Sequence, residues 1–360
     1  MSRSRHHDNQ EPLRTSIRQL TFRQYLRRYW SDWVLLICTA ALGFGLYVAP
    51  PAPNRLFPVY YDIKKNISDD QSTPTDWHTL ANPENAYPIK KEIIPMWLSA
   101  FLSFIFSFLT FLITQYWKRS WTDFHSALMG LFYSLGGSGL FQVFCKWLIG
   151  GFRPHFLEVC KPDLSKISQP GQGYDHIYYD RSVCTGDERE INDSLQSFPS
   201  GHSNAAWAGL LFLFFYLNAN LKLYSHRRTP YWKLLATTWP ILVASLISLT
   251  RLLDYTHHWY DIFIGMIIGC AYATLSWRMQ YASIFNWRVN HIPLDEYSAE
   301  LDQESLPYHN RSNETGHNVN STHYPMTESS STHDYHSSNP SHNMDANQDF
   351  MKPESRVTQA

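Results

Sequence analysis

The chain has 360 residues, 44% hydrophobic and 16% aromatic, with a formal net charge of −1. A charge so close to zero gives no case for nucleic-acid binding, which rests on a basic footprint. Five cysteines form no metal-spaced cluster such as C-x-x-C. Mean hydropathy is below zero, as in a soluble protein, but the apolar residues are gathered into long runs and polar ends dilute the mean. Tryptophan and tyrosine collect at the ends of those runs, as they do at membrane interfaces.

In chain order, residues 1–31 form a polar arm rich in arginine (Arg3, Arg5, Arg14, Arg18, Arg23, Arg27, Arg28). Its basic character suits the cytoplasmic flank of a first membrane span. The apolar run starts late and is followed by proline rather than a small-residue cleavage site, which predicts no cleavable leader. Six apolar runs follow, over 33–48, 93–116, 124–150, 205–221, 232–249 and 262–277. A helix needs about 20 apolar residues to cross a bilayer; several runs reach this, while the first and fourth are short and, taken singly, fit buried core helices as well. Together they predict an all-α, polytopic bundle of six transmembrane helices over residues 32–285. Pro95 and Pro240 fall inside apolar runs, which membrane packing tolerates. Gly136, Gly137 and Gly139 would permit close helix approach.

Basic connections at Lys118-Arg119 and 222–233, with the N-terminal arm, belong on the cytoplasmic side. Six spans then put both termini in the cytoplasm. The 51–92 loop, the 152–203 loop and the connection after Thr250 lie outside. Those outer loops carry N-glycosylation sequons at Asn66 and Asn192. They also carry Cys160 and Cys184, which a disulfide would join in an oxidising compartment. The tail, residues 286–360, is rich in Ser, His, Asn and Thr and too polar to bury a core, so it reads as disordered.

Chemistry concentrates in three segments: KWLIGGFRP from Lys146 to Pro154, Pro-Ser-Gly-His from Pro199 to His202, and TRLLDYTHHWYD from Thr250 to Asp261. The second opens an apolar helix, whose N-terminal N–H groups attract anions. There Gly201 lets the backbone approach a ligand, Ser200 can donate a hydroxyl, and His202 can move a proton near neutral pH. Lys146, Arg153 and Arg251 are cations near membrane depth, on the side where basic residues are not favoured. Together they can surround a tetrahedral anion. Lys146 and Arg153 are two helical turns apart, hence on one face if the helix persists through Gly150-Gly151. His257 and Asp261 are four apart and predicted to share a face of the sixth helix. The carboxylate would then hold one ring nitrogen and leave the other free as a nucleophile. His258 and Asp254 stand further from the chemistry.

In this order and spacing the three segments resemble the type 2 phosphatidic acid phosphatase superfamily, the integral membrane lipid phosphate phosphatases. One departure is Thr250-Arg251 where the family usually has Ser-Arg; the hydroxyl is kept. The run from Asp254 to Trp259 is most similar to the fungal diacylglycerol pyrophosphate phosphatase and lipid phosphate phosphatase branch. The resemblance implies the helical core of acid phosphatases and vanadium haloperoxidases. It implies His257 as nucleophile, His202 as general acid and base, Asp261 orienting His257, and Lys146, Arg153, Ser200, Gly201 and Arg251 holding phosphate. It further implies hydrolysis of diacylglycerol pyrophosphate, phosphatidate or lysophosphatidate in the bilayer, without metal or other cofactor, on the lumenal or extracellular side. Vacuole, Golgi, endoplasmic reticulum and plasma membrane all fit. Polyprenyl-diphosphate or sphingoid-phosphate phosphatases and lipid headgroup transferases would share this scaffold. A non-catalytic anion transporter or scaffold is the alternative of another class, and the intact His257, His202 and Asp261 argue against it.

Overall fold

The apolar runs become helices whose ends are set by local chemistry. A computed structural model describes residues 22–49, 55–62, 78–80, 82–167 and 170–298, all within the unit Met1–Ser305. Its long helices are α1 (Phe22–Val48), α2 (Met96–Lys118), α3 (Trp121–Leu148), α7 (Gly201–Leu221), α8 (Tyr231–Leu253) and α9 (Trp259–Gln280). The short helices α4 (Phe156–Cys160), α5 (Leu164–Ile167) and α6 (Glu188–Ser194) lie between α3 and α7. Ser120 accepts from the Asp123 N–H and starts α3, while Arg119 and Lys222 turn left-handed and end α2 and α7. Pro95 sits just before α2, in extended conformation, rather than inside it; Pro240 does lie within α8. Helix α1 already begins at Phe22, so the last residues of the Arg-rich arm are helical.

Among the described residues, five helices are long and apolar enough to cross a membrane: α2, α3, α8, α9 and the Arg27–Val48 part of α1. Helix α7 differs in kind. It packs against α2, α3, α8 and α9, and its His202, Asn204 and Asn218 are buried. Surrounded by protein, it does not need a lipid-facing apolar surface. Of the six expected spans, the first and fourth of them short, five correspond to these helices, and the fourth is α7, packed among α2, α3, α8 and α9. The core between them includes Phe111, Leu210, Phe212, Leu213, Tyr216 and Trp277.

Glycines set the closest approach, though not chiefly those of the third run. A Cβ at Gly265 of α9 would stand 2.5 Å from the Ser200 carbonyl oxygen, and one at Gly269 2.6 Å from that of Asn204. Gly137 fits against the Tyr272 ring, whereas Gly139 faces open space.

At the end of the bundle where α7 begins lies a small second core of Phe57, Phe156, Val159, Val183, Ile191 and Leu195. Strand β1 (Phe57–Pro58) pairs antiparallel with β4 (Tyr178–Tyr179), and β2 (Tyr60–Asp62) with β3 (His78–Leu80). A disulfide joins Cys160 to Cys184, with a Cα separation of 4.6 Å. Asn192, on α6, accepts from Arg181 at 2.8 Å; Asn66 lies outside the described residues.

At the opposite end, buried Asp123 accepts from Lys118 (2.9 Å), Gln115 (3.0 Å) and Tyr216 (2.8 Å). Folded chain continues past 285 there. Lys222 donates to the Trp287 carbonyl (2.6 Å) and to Asn290 (3.1 Å), and Asp295 accepts from Arg28 and Tyr29, both at 2.5 Å.

Candidate active site

The glycine turn after α3 determines how the first two cations meet. Gly150 and Gly151 have φ of +65° and +98°, a region that favours glycine. A side chain at Gly150 would also strike the Arg55 guanidinium, which donates to the Leu195 carbonyl at 2.8 Å. Here the helix stops. Lys146 stays in the last turn of α3, while Arg153 returns from the loop, its N–H bonded to the Ser194 carbonyl at 2.9 Å. The loop, and not a shared helical face, therefore brings them together. Arg153 pairs with Asp193 at 2.9 Å, and its Nε is buried without a partner among the described residues. The Lys146 charge is felt at Arg153, Asp261, His202 and His257.

Ser200 precedes α7 and donates its N–H to the Asp261 carbonyl at 3.0 Å, tying the starts of α7 and α9 together. Its hydroxyl is fully buried, does not cap the helix and has no partner among the described residues. Gly201 lies against Met96 and Gln142, and Gln142 donates to the Pro199 carbonyl at 2.9 Å. His202 Nε2 stands 3.0 Å from the Ile94 carbonyl oxygen and 3.3 Å from Arg251 Nη1. A carbonyl takes only a protonated nitrogen and a guanidinium serves only a bare one, so each protonation state satisfies one neighbour.

Arg251, near the end of α8, is fully buried and ion-paired with Asp254 at 2.7 Å and Glu92 at 3.6 Å. Asp254 also accepts from the Ile93 N–H at 3.0 Å. The site's cations thus carry internal counter-charges: Asp193 for Arg153, and Asp254 with Glu92 for Arg251.

His257 is not on a helix, because α9 starts two residues later, at Trp259. The turn after α8 presents it instead, with its N–H 3.4 Å from the Arg251 carbonyl. Tyr255, left-handed at φ +55°, anchors that turn. Its carbonyl lies 2.8 Å from His155 Nδ1, and its ring is stacked by Tyr87 at 4.6 Å. His257 Nδ1 is 3.6 Å from Asp261 Oδ2 and 3.3 Å from Ser197 Oγ. Ser197 donates to that same Oδ2 at 2.5 Å, and the His258 N–H does so at 3.0 Å. His258 with Asp261 forms the capping box of α9. The His257 and His202 ring centres are 6.4 Å apart. Burial pushes the His257 imidazole down to about 4, against the pull of Asp261 and with the help of Arg153 and Lys146.

The three sequence segments therefore converge at one place. Sequence reasoning missed Ser197, Glu92 and Ile94; Asp254, read as standing further from the chemistry, is the ion-pair partner of Arg251. The i,i+3 spacing of Arg251 and Asp254 was a readable signal; Glu92 and Ile94 come from a distant segment with no spacing to read. Among the described residues, no group of three or more His, Cys, Asp or Glu is placed to hold a metal ion. What the arrangement offers is two buried imidazoles side by side, either able to use a bare ring nitrogen, and buried donors that suit an anion.

A profile of the PAP2 superfamily matches residues 127–285. A PA-phosphatase related-family protein of Dictyostelium discoideum is 31% identical over 272 residues, 75% of this chain and 74% of the relative. This chain belongs to the PAP2 superfamily. Lipid phosphate phosphatase 2 of Arabidopsis thaliana is 32% identical over 248 residues, covering 69% of this chain and 76% of the relative. A probable diacylglycerol pyrophosphate phosphatase 1 of Schizosaccharomyces pombe is 34% identical over 203 residues, 54% of this chain and 67% of the relative. No solved structure matches. The PAP2 span of the chain holds every candidate site residue from Lys146 to Asp261, while Glu92 and Ile94 precede it.

Proposed function

We propose that this PAP2 chain hydrolyses lipid phosphates, taking the phosphomonoester of phosphatidate or lysophosphatidate or the terminal phosphate of diacylglycerol pyrophosphate. The names of its relatives, lipid phosphate phosphatase and diacylglycerol pyrophosphate phosphatase, support this substrate class. The observation that carries the reading is a pair of buried donors, Ser200 Oγ and Arg153 Nε, that find no partner among the described residues, in the site that holds His257 and His202. Buried polar groups normally find partners; phosphate oxygens supply them here.

In the proposed sequence, His257 Nε2 attacks phosphorus as the bond to the leaving oxygen breaks. His202 gives that oxygen a proton. Water then attacks the phosphohistidine, His202 takes its proton, and phosphate leaves with His257 neutral again. Lys146, Arg153, Arg251, Ser200 and the Gly201 N–H hold the equatorial oxygens. These donors supply the charge stabilisation that a metal provides elsewhere, so the reaction is proposed to be metal-independent.

We also propose that α7 joins the five apolar helices as a sixth span. Both termini are then cytoplasmic and the site is lumenal or extracellular, as the basic loops favour. Apolar side chains exposed on the helices, among them Leu35, Phe44, Ile113, Leu246 and Phe263, leave room for acyl chains to remain in lipid while the headgroup reaches the site.

The test is phosphate release by detergent-purified protein from the three lipids, with EDTA present, beside His257→Ala. Release that survives EDTA and is lost in the variant is expected. Activity retained by His257→Ala would overturn the assignment of the nucleophile, and loss in EDTA would overturn metal independence.

A further inference from the structure

Ser197 lies outside the three segments that carry the family resemblance, yet it stands where they meet. It is 1% exposed, and its N–H donates to the Gly151 carbonyl at 3.1 Å. Its backbone is thereby pinned to the same turn that delivers Arg153. Its hydroxyl has two neighbours, Asp261 Oδ2 at 2.5 Å and His257 Nδ1 at 3.3 Å. The direct separation from His257 Nδ1 to Asp261 Oδ2, 3.6 Å, is longer than a hydrogen bond.

The proton positions follow from the chemistry of the groups. A carboxylate only accepts, so the Ser197 O–H must point at Asp261, in a short charge-assisted bond. The lone pairs of Ser197 then face the imidazole, and the nitrogen facing them must carry a hydrogen. That assigns Nδ1–H to His257 and leaves Nε2 bare.

We infer that Ser197 is a positioning residue: it bridges His257 to Asp261 and holds His257 in the Nδ1–H tautomer that exposes Nε2 for attack on a phosphate ester. The inference rests on the phosphohistidine reading proposed above. During transfer the ring gains positive charge, Nδ1–H becomes a stronger donor, and the hydroxyl passes the stabilising influence of the carboxylate to it. No proton needs to leave Ser197. Asp261 acts through the serine and also organises the start of α9 through the His258 N–H.

The test uses the full chain in detergent with phosphatidate, in three forms: wild type, Ser197→Ala and Ser197→Thr. The alanine variant is expected to lower kcat about 10–100-fold, the range found for hydrogen-bond partners that orient metal-bound histidines. KM should stay within about twofold, because Lys146, Arg153 and Arg251 are untouched. The threonine variant keeps the hydroxyl and is expected to recover most of the rate. A two-bond ¹H–¹⁵N correlation spectrum of histidine-labelled protein, assigned with His257→Ala, reads the tautomer directly. Wild type should show Nδ1–H, and Ser197→Ala a mixture or the Nε2–H form. Wild-type kcat in Ser197→Ala overturns the proposal, and so does an unchanged tautomer in that variant. If wild type releases no phosphate, the phosphatase reading fails while the tautomer measurement still judges the bridge.

Discussion

An ordinary histidine titrates near 6.5; burial lowers His257 to about 4. In the proposed reaction the neutral ring is the attacking form, so His257 would stay competent above about pH 4 and lose that competence as pH falls through that value. Stability follows the same direction. The folded value lies below the unfolded one, the unfolded chain binds the extra proton between about 4 and 6.5, and stability rises with pH across that window. The His257 ring resonances in the labelled protein are expected to keep a neutral pattern from pH 8 to 5 and to move only near 4. A midpoint near 6.5 would mean that the site is wetter than its burial implies. The residues whose chemistry shows in short spacings, Ser200 with His202, Arg251 with His257 and His257 with Asp261, were legible in the sequence. Ser197 was not, because a serine ahead of a helix cap has an ordinary local role. Nor were Glu92 and Ile94, because only the folding of their segment onto α7 and α8 brings them to Arg251 and His202.

Helix α9 approaches α7 through Gly265 and Gly269 so closely that backbone meets backbone. Gly265→Ala would force a methyl to within 2.5 Å of the Ser200 carbonyl oxygen, on the residue whose N–H is tied to Asp261. Overpacking of this kind costs about 1–3 kcal/mol, and here it also shifts the anion turn. The variant is expected to lose activity more than tenfold and to melt earlier in detergent. Gly139→Ala, with nothing within 4 Å of the added methyl, should match wild type in both measurements. The helices themselves were readable from their apolar runs, but their ends were less so. The spacing of His257 and Asp261 reads as a helical face, whereas the capping box starts α9 only at Trp259 and leaves His257 in a turn. Likewise Pro95 falls within an apolar run and proves to be the residue before α2, because a proline fits there without losing a helical hydrogen bond.

Hydropathy finds the helices that meet lipid, so α2, α3, α8 and α9 were plain in the sequence; the first and fourth runs were short there, and only the packing of α7 among its neighbours separates the two. That packing has a consequence for how the protein is made. His202, Asn204 and Asn218 are shielded by α2, α3, α8 and α9 in the finished protein, and half of that shield follows α7 in the chain. In the proposed six-span topology, α7 leaves the translocon with only the earlier helices for company and is then a poor candidate for release into lipid, since buried polar side chains there raise the cost of insertion. Its integration should wait for α8 and α9. A sequon engineered between α7 and α8 reports this. It should be glycosylated in a chain truncated before Tyr231, where α7 slips through to the lumen, and unmodified in the full chain. The helix that carries the anion turn is in this sense the last to settle, and the site is assembled only when biogenesis is complete.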